Sequence, residues 1–236
     1  MIRPPPLKVK PDAEPPERLR GYGLVFASVA LVLLLLAAGG FYLAMRDTGA
    51  ALGRTEVRLG GTRLSFDAAF ARFASERVGG DMEQVDLAVS FPDFAPAGEI
   101  KGLTPQSDLL SRQEKLLFLT LTLAGKTLDP AERTAKLYAR FLEPEEWSQA
   151  GGLVMRRFVP GSPFESEDLY LTPPEGKAFA ARCMRPAASA DGLPDSCIHD
   201  FRLGALNVQL RFSPARLADW EALGTGARLL VARMLR

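Results

Sequence analysis

The sequence predicts an α+β protein: one N-terminal transmembrane helix, then a single mixed α+β extracytoplasmic domain with a mainly antiparallel sheet and a C-terminal amphipathic helix. Three observations predict it. Residues 21–45 carry no charge between Arg20 and Arg46. Beyond them, apolar and polar residues alternate with period two in several short runs, the signature of strands. Helix start signals are fewer and do not alternate regularly with those strands, so the order is not that of a βαβ protein.

The chain opens on residues 1–20, which hold Pro4, Pro5, Pro6, Pro11, Pro15 and Pro16. Proline has no amide donor and a fixed φ, so neither a helix interior nor a sheet interior suits this segment. It reads as a solvated, polyproline-like tail, a form that also serves as a preorganised docking peptide. A helix over 21–45, rising ~1.5 Å per residue, would span ~37 Å, more than the ~30 Å hydrocarbon core. Tyr22 near one end, and Phe41 and Tyr42 near the other, stand where amphipathic rings prefer the headgroups. The rival is a cleaved signal peptide, with small residues for the cut at Ala37 to Gly40; its apolar region is normally only ~7–15 residues. Arg3, Lys8, Lys10, Arg18 and Arg20 precede the span, against Arg46, Arg54 and Arg58 soon after it. The positive-inside rule therefore puts the N-terminus in the cytoplasm. The expected layout is a cytoplasmic tail at 1–20, a helix in the lipid bilayer of a bacterial inner membrane at 21–45, a linker at 46–54 and a periplasmic domain at 55–236. Gly23 with Ala27, and Gly40 with Ala44, have the small-xxx-small spacing that permits a homodimer contact within the span.

In the domain, Lys115 to Ala124 is the clearest strand. Leu117, Leu119, Leu121 and Leu123 share one face; Leu116, Phe118, Thr120 and Thr122 share the other. Two largely apolar faces predict an interior strand. Val85, Leu87, Val89 and Phe91 alternate with Asp86, Ala88 and Ser90, a half-buried strand stopped by Pro92. His199 to Leu203 and Asn207 to Phe212 flank Gly204 and read as a β-hairpin. Further strands are expected at 56–59, 63–66, 153–159, 168–171 and 179–184. Asp129, Pro130 and Glu132 form a helix start, with Ala131, Ala135, Tyr138, Phe141 and Leu142 as its apolar stripe. Ser213 and Pro214 repeat the start before the last helix, which Gly224 and Gly226 are expected to split. A short helix over 67–77 carries Phe70 and Phe73 and ends at Gly79 and Gly80.

Cys183 and Cys197 enclose a short segment with Pro186, Gly192 and Pro194, and outside the cytoplasm they are expected to form a disulfide. Its closure is worth ~3 kcal/mol in the chain-entropy account. His199 beside Asp200 suggests half of a triad, but neighbouring strand residues point to opposite faces. Ser162 lacks the Gly-x-Ser-x-Gly elbow. Phosphate-loop, dinucleotide and His-Glu-x-x-His strings are absent, so no cofactor and no metal site is expected. Glu143, Glu145, Glu146, Glu165, Glu167 and Asp168 read as solvated loop charge. With 29 Lys+Arg against 28 Asp+Glu, the net charge of +1 argues against nucleic-acid binding, which needs a surplus of cations to displace counterions.

Two places suggest interaction. The Pro/Gly-rich connection from Phe91 through Phe94 to Pro105 is a binding loop or a surface crossover held by those two rings. The C-terminal stripe with Trp220, Leu230 and Met234 either packs on the sheet or offers a basic amphipathic end to a partner.

Glu76-Arg77-Val78-Gly79-Gly80, Val85-Asp86-Leu87 with Phe91-Pro92, the Cys183 and Cys197 loop and the ending with Trp220 together resemble a group of uncharacterised, single-pass, membrane-anchored periplasmic proteins of Gram-negative bacteria. The resemblance implies a compartment and no activity. The expected function is a membrane-anchored periplasmic binding or scaffold protein without evident catalysis, partnered by another envelope protein. The alternatives are a sensor signalling through the span to the tail, or an envelope hydrolase using the loop carboxylates.

Overall fold

The structure is a computed structural model that describes residues 28–39, 53–99, 114–185 and 196–236, and the chain divides into two units, 1–51 and 52–236. In the first unit, residues 28–39 form helix α1, with Val29 and Leu31 to Leu36 all exposed. Among the described residues no helix is long and apolar enough to cross a membrane. Helix α1 covers only the middle of the expected span. The Pro-rich tail, the aromatic residues at 22, 41 and 42, the small-residue pairs proposed for a homodimer and most of the 46–54 linker lie outside the described residues.

The second unit is mixed α+β, with a large antiparallel sheet, as the alternation predicts. Strands β1 (Arg54–Leu59), β2 (Thr62–Asp67) and β3 (Gly80–Met82) form a small sheet ordered β2-β1-β3. The others are β4 (Gln84–Ser90), β5 (Leu116–Leu123), β6 (Trp147–Ser148), β7 (Val154–Arg157), β8 (Glu167–Leu171), β9 (Ala180–Met184), β10 (Cys197–Leu203) and β11 (Leu206–Phe212). They build an eight-stranded sheet ordered β4-β5-β11-β10-β9-β8-β7-β6, antiparallel at every pairing. The β10–β11 hairpin turns at Gly204, whose φ of 59° suits glycine. Strand β5 is interior, between β4 and β11.

Register sorts the side chains into two faces. Leu87, Leu119, Leu210, His199, Ala181 and Tyr170 form one cross-strand row. That face belongs to the main core with Val57, Leu59, Leu64 and Phe66 of the small sheet and Leu223, Ala227, Leu230, Val231 and Met234 of the last helix. The adjacent row, Ala88, Phe118, Arg211, Ile198, Arg182 and Leu169, faces the other way. There a second cluster of Tyr138, Leu142, Phe158, Leu169 and Leu171 covers the β7–β8 end. Cys183 and Cys197 are direct cross-strand partners, Cα atoms 4.0 Å apart, and form the expected disulfide.

Three expected helices differ in form. The 67–77 segment is a 3-10 turn, Ala68–Phe70, then helix α2 at Ala74–Val78, because Ala71 bridges to Leu87 on the edge of β4. The segment from Asp129 keeps its cap, with the Ala131 amide donating to Asp129. It then runs as Pro130–Glu132 (3-10), Thr134–Tyr138 (π) and Ala139–Phe141 (3-10), burying Thr134 and Tyr138. The last helix, α3 (Trp220–Met234), is continuous. Gly226 does not break it; a Cβ there would meet the Phe94 ring at 2.1 Å, so the missing side chain seats Phe94.

Candidate interaction surface

The β4-β5-β11 part of the sheet carries a concavity on the face away from the main core. Its floor follows from the register. Asp86, Thr120, Gln209 and Asp200 form one row, and Phe118 with Arg211 begins the next. The volume is about 330 Å³, lined also by Gln84, Arg72 and Phe73, at the low end of ligand clefts.

The rim is built from the chain just before β4. The Arg72 amide donates to the Asp86 carbonyl at 2.8 Å. Glu76, 5% exposed, accepts from the Asp86 amide at 2.6 Å and the Phe73 amide at 2.9 Å. One carboxylate thus caps the start of α2 and satisfies an edge amide of the large sheet, an unpaired group that would otherwise be a liability. This anchoring holds Arg72 over the floor: its guanidinium lies 4.7 Å from the Phe118 ring centroid and 5.1 Å from that of Phe73. Phe73 is 48% exposed. In the floor, the Thr120 hydroxyl donates to Oδ1 of Asp86 and the Gln84 amide to Oδ2, each at 2.5 Å. Gln209 donates to Asp200, whose other oxygen takes Arg133 at 2.5 Å.

A second concavity of about 140 Å³ lies where β10 runs past the start of β9, lined by Asp129, Lys177, Ala180, His199, Arg202 and Arg228 among others. His199 is 3% exposed and stacks on Phe179 and Phe201, at 4.3 and 5.6 Å. Burial pushes its pKa down to about 4, with the Ala180 carbonyl working the other way. The ring is therefore neutral, and Nδ1, 2.9 Å from the Ala180 carbonyl, is the nitrogen that donates. Nε2 is buried and, among the described residues, has no hydrogen-bond partner. Asp200 belongs to the opposite face and pairs with Arg133, so the two neighbours form no imidazole–carboxylate couple. Ser162 is buried and lines neither concavity.

The residues proposed from sequence for interaction lie elsewhere. Phe94, Leu230 and Met234 are buried in the main core, and Phe91 and Trp220 are half-buried against it. Phe91 and Phe94 meet edge to face at 6.1 Å, and the Trp220 indole donates to the Gly151 carbonyl at 2.8 Å. The physical reason is that α3 lies on the sheet, so its apolar stripe is core. The crossover beyond Glu99 lies largely outside the described residues. Of the carboxylates expected as solvated loop charge, Glu167 and Asp168 belong to strand β8, where they pair with Arg182 and Arg185, while Glu146 faces Arg156 and Glu165 accepts from the Gly161 amide. None of them lines either concavity. The groove was missed because Phe118 made both faces of β5 look buried. The signal that could have found it is the polar set Thr120, Thr122, Asn207, Gln209 and Arg211, which marks an open face.

No protein-family model matches the chain, and no curated protein matches it. The fold belongs to a class already seen in solved structures of mixed α+β proteins. An immunity protein of the Stenotrophomonas maltophilia type IV secretion system shares it with a TM-score of 0.55 and 16% identity, over 78% of this chain and 94% of that one. The Neisseria meningitidis iron-regulated outer membrane lipoprotein FrpD aligns over 78% and 92% of the two chains with a TM-score of 0.43 and 10% identity.

Proposed function

We propose that this chain is a membrane-anchored periplasmic binding protein. The uncharged stretch 21–45 holds it in the inner membrane with the Pro-rich tail inside, and the α+β domain recognises another envelope protein. The observation that carries the binding role is the open half of the large sheet, where a concave, hydrogen-bonding floor is rimmed by Arg72 and Phe73. Likeness of fold to an immunity protein supports a protein as partner, since immunity proteins of other systems form some of the tightest protein complexes. Length and cation asymmetry support the anchor, and the Cys183–Cys197 bond suits an oxidising compartment.

The test has two arms. A periplasm-dependent reporter fused after Arg236 is expected to be active, with Cys183 and Cys197 resisting alkylation until reduced; an inactive reporter with free thiols refutes the placement. Affinity capture of the solubilised full-length protein from envelope fractions is expected to retain the same envelope protein reproducibly. Repeated recovery of none refutes the binding role.

A further inference from the structure

We propose that the groove over Phe118 receives an acidic segment of the protein partner, its carboxylates seated between the guanidinium groups of Arg72 and Arg211. This rests on the binding role proposed above and names the surface and the chemistry of its occupant.

Arg211 is exposed and is the direct cross-strand neighbour of Phe118, a spacing that leaves Cβ atoms only ~5 Å apart. Arg72 lies over the same ring. Two cations therefore flank one aromatic side chain, and among the described residues neither has an ion-pair partner. Several other arginines on or beside the sheet do: Arg133, Arg156, Arg182, Arg185 and Arg202 each face a carboxylate. The groove's own carboxylate, Asp86, has both oxygens engaged by Thr120 and Gln84 and makes no ion pair with either arginine. Glu76, behind the rim, is spent on two backbone amides. Neither cation is thus paired directly with a carboxylate, and Arg72 is held over the ring by its stack. Guanidinium groups bind carboxylates through paired donors. The exposed Phe73 at the rim suits an apolar side chain beside the acid, and the amides of Gln84 and Gln209 suit a peptide backbone. A chain this near neutrality has little general pull on polyanions, which favours a local acidic peptide over a phosphate-rich surface.

The probe is a fluorescein-labelled peptide of alternating Glu and Leu with a central Phe, titrated by anisotropy against the full-length protein. Its counterpart carries Gln for every Glu. Saturable binding of the Glu peptide is expected, weakened by raising salt from roughly 50 to 300 mM and absent for the Gln peptide. Arg72→Glu and Arg211→Glu should each weaken it by at least about tenfold, while Arg63→Glu, outside the groove, should not. Arg211→Glu alters only an exposed side chain, so it keeps the test valid if Arg72→Glu perturbs folding. Equal binding of both peptides, or no effect of either reversal, overturns the proposal. So does charge-dependent binding to phosphatidylglycerol vesicles without peptide binding, which would make the groove a lipid-headgroup site. If envelope capture still retains its partner equally well with both reversed variants, the binding role stands and the groove assignment alone falls.

Discussion

Gly226 offers a sharp test of the packing described above, because two glycines two residues apart in α3 should respond to the same substitution with opposite sign. Helix propensity alone makes Gly→Ala favourable by about 1 kcal/mol in a helix interior. At Gly224 a new Cβ meets nothing within 4 Å, so Gly224→Ala should stabilise by about that amount. At Gly226 the same atom would lie 2.1, 2.3 and 2.7 Å from three carbons of the Phe94 ring, against an ordinary carbon–carbon contact of about 3.5–4.0 Å. The ring must retreat by more than 1 Å, a figure that follows from that contact distance. It has little room: Phe94 is 8% exposed, its backbone sits at φ 52°, and its amide is tied to the Ser90 carbonyl at 2.8 Å. Overpacking of this kind costs about 1–3 kcal/mol. Net of propensity, Gly226→Ala should destabilise by up to about 2 kcal/mol, leaving the two variants about 1–3 kcal/mol apart. Urea unfolding of the full-length protein, followed by tryptophan fluorescence, measures both. In a Phe94→Ala background, where the ring is gone, Gly226→Ala should become neutral or favourable. If Gly226→Ala is as stabilising as Gly224→Ala with Phe94 intact, the seating of Phe94 on α3 is wrong.

Three further outcomes are expected. Replacing Cys183 and Cys197 together with Ser should lower unfolding free energy by about 3 kcal/mol, seen as an earlier urea midpoint; an unchanged midpoint would mean the cross-strand bond contributes nothing. His199 is held neutral with its pKa near 4, below the ordinary value of about 6.5, so its contribution to stability is complete above about pH 6.5 and is lost as pH falls toward 4. The wild type should thus lose about 3 kcal/mol more across that window than His199→Phe, and parallel pH profiles would refute the buried neutral ring. Glu76→Ala should strand the Asp86 and Phe73 amides and cost about 2–4 kcal/mol; hydrogen exchange at the Asp86 amide should accelerate by more than the global loss explains, and unchanged protection there would contradict the cap.

Much of the fold was legible in the chain because strand alternation is a local property. The run from Leu116 to Leu123, the turn at Gly204, the capped 3-10 turns that begin at Pro130 and Pro214 and the pairing of the two cysteines all depend on residues close in sequence or on a single covalent possibility. What the local pattern misjudged were effects of distant neighbours. Gly226 read as a helix breaker because its occupant, Phe94, comes from a loop far upstream. The stripe of Trp220, Leu230 and Met234 read first as core packed on the sheet, with an interaction face at the last turn as the alternative, since amphipathicity does not say what covers it; the packing is what the structure shows.

The chain by itself determined the uncharged stretch at 21–45, the cation asymmetry around it, the α+β class and the near-zero charge that argues against nucleic-acid binding. Only the tertiary structure decided which sheet face is open. Register sets Phe118 beside Arg211, and the Glu76 cap brings Arg72 over the same ring. A surface site is a coincidence of residues from separate strands, and no period within one strand encodes which strand will lie next to it.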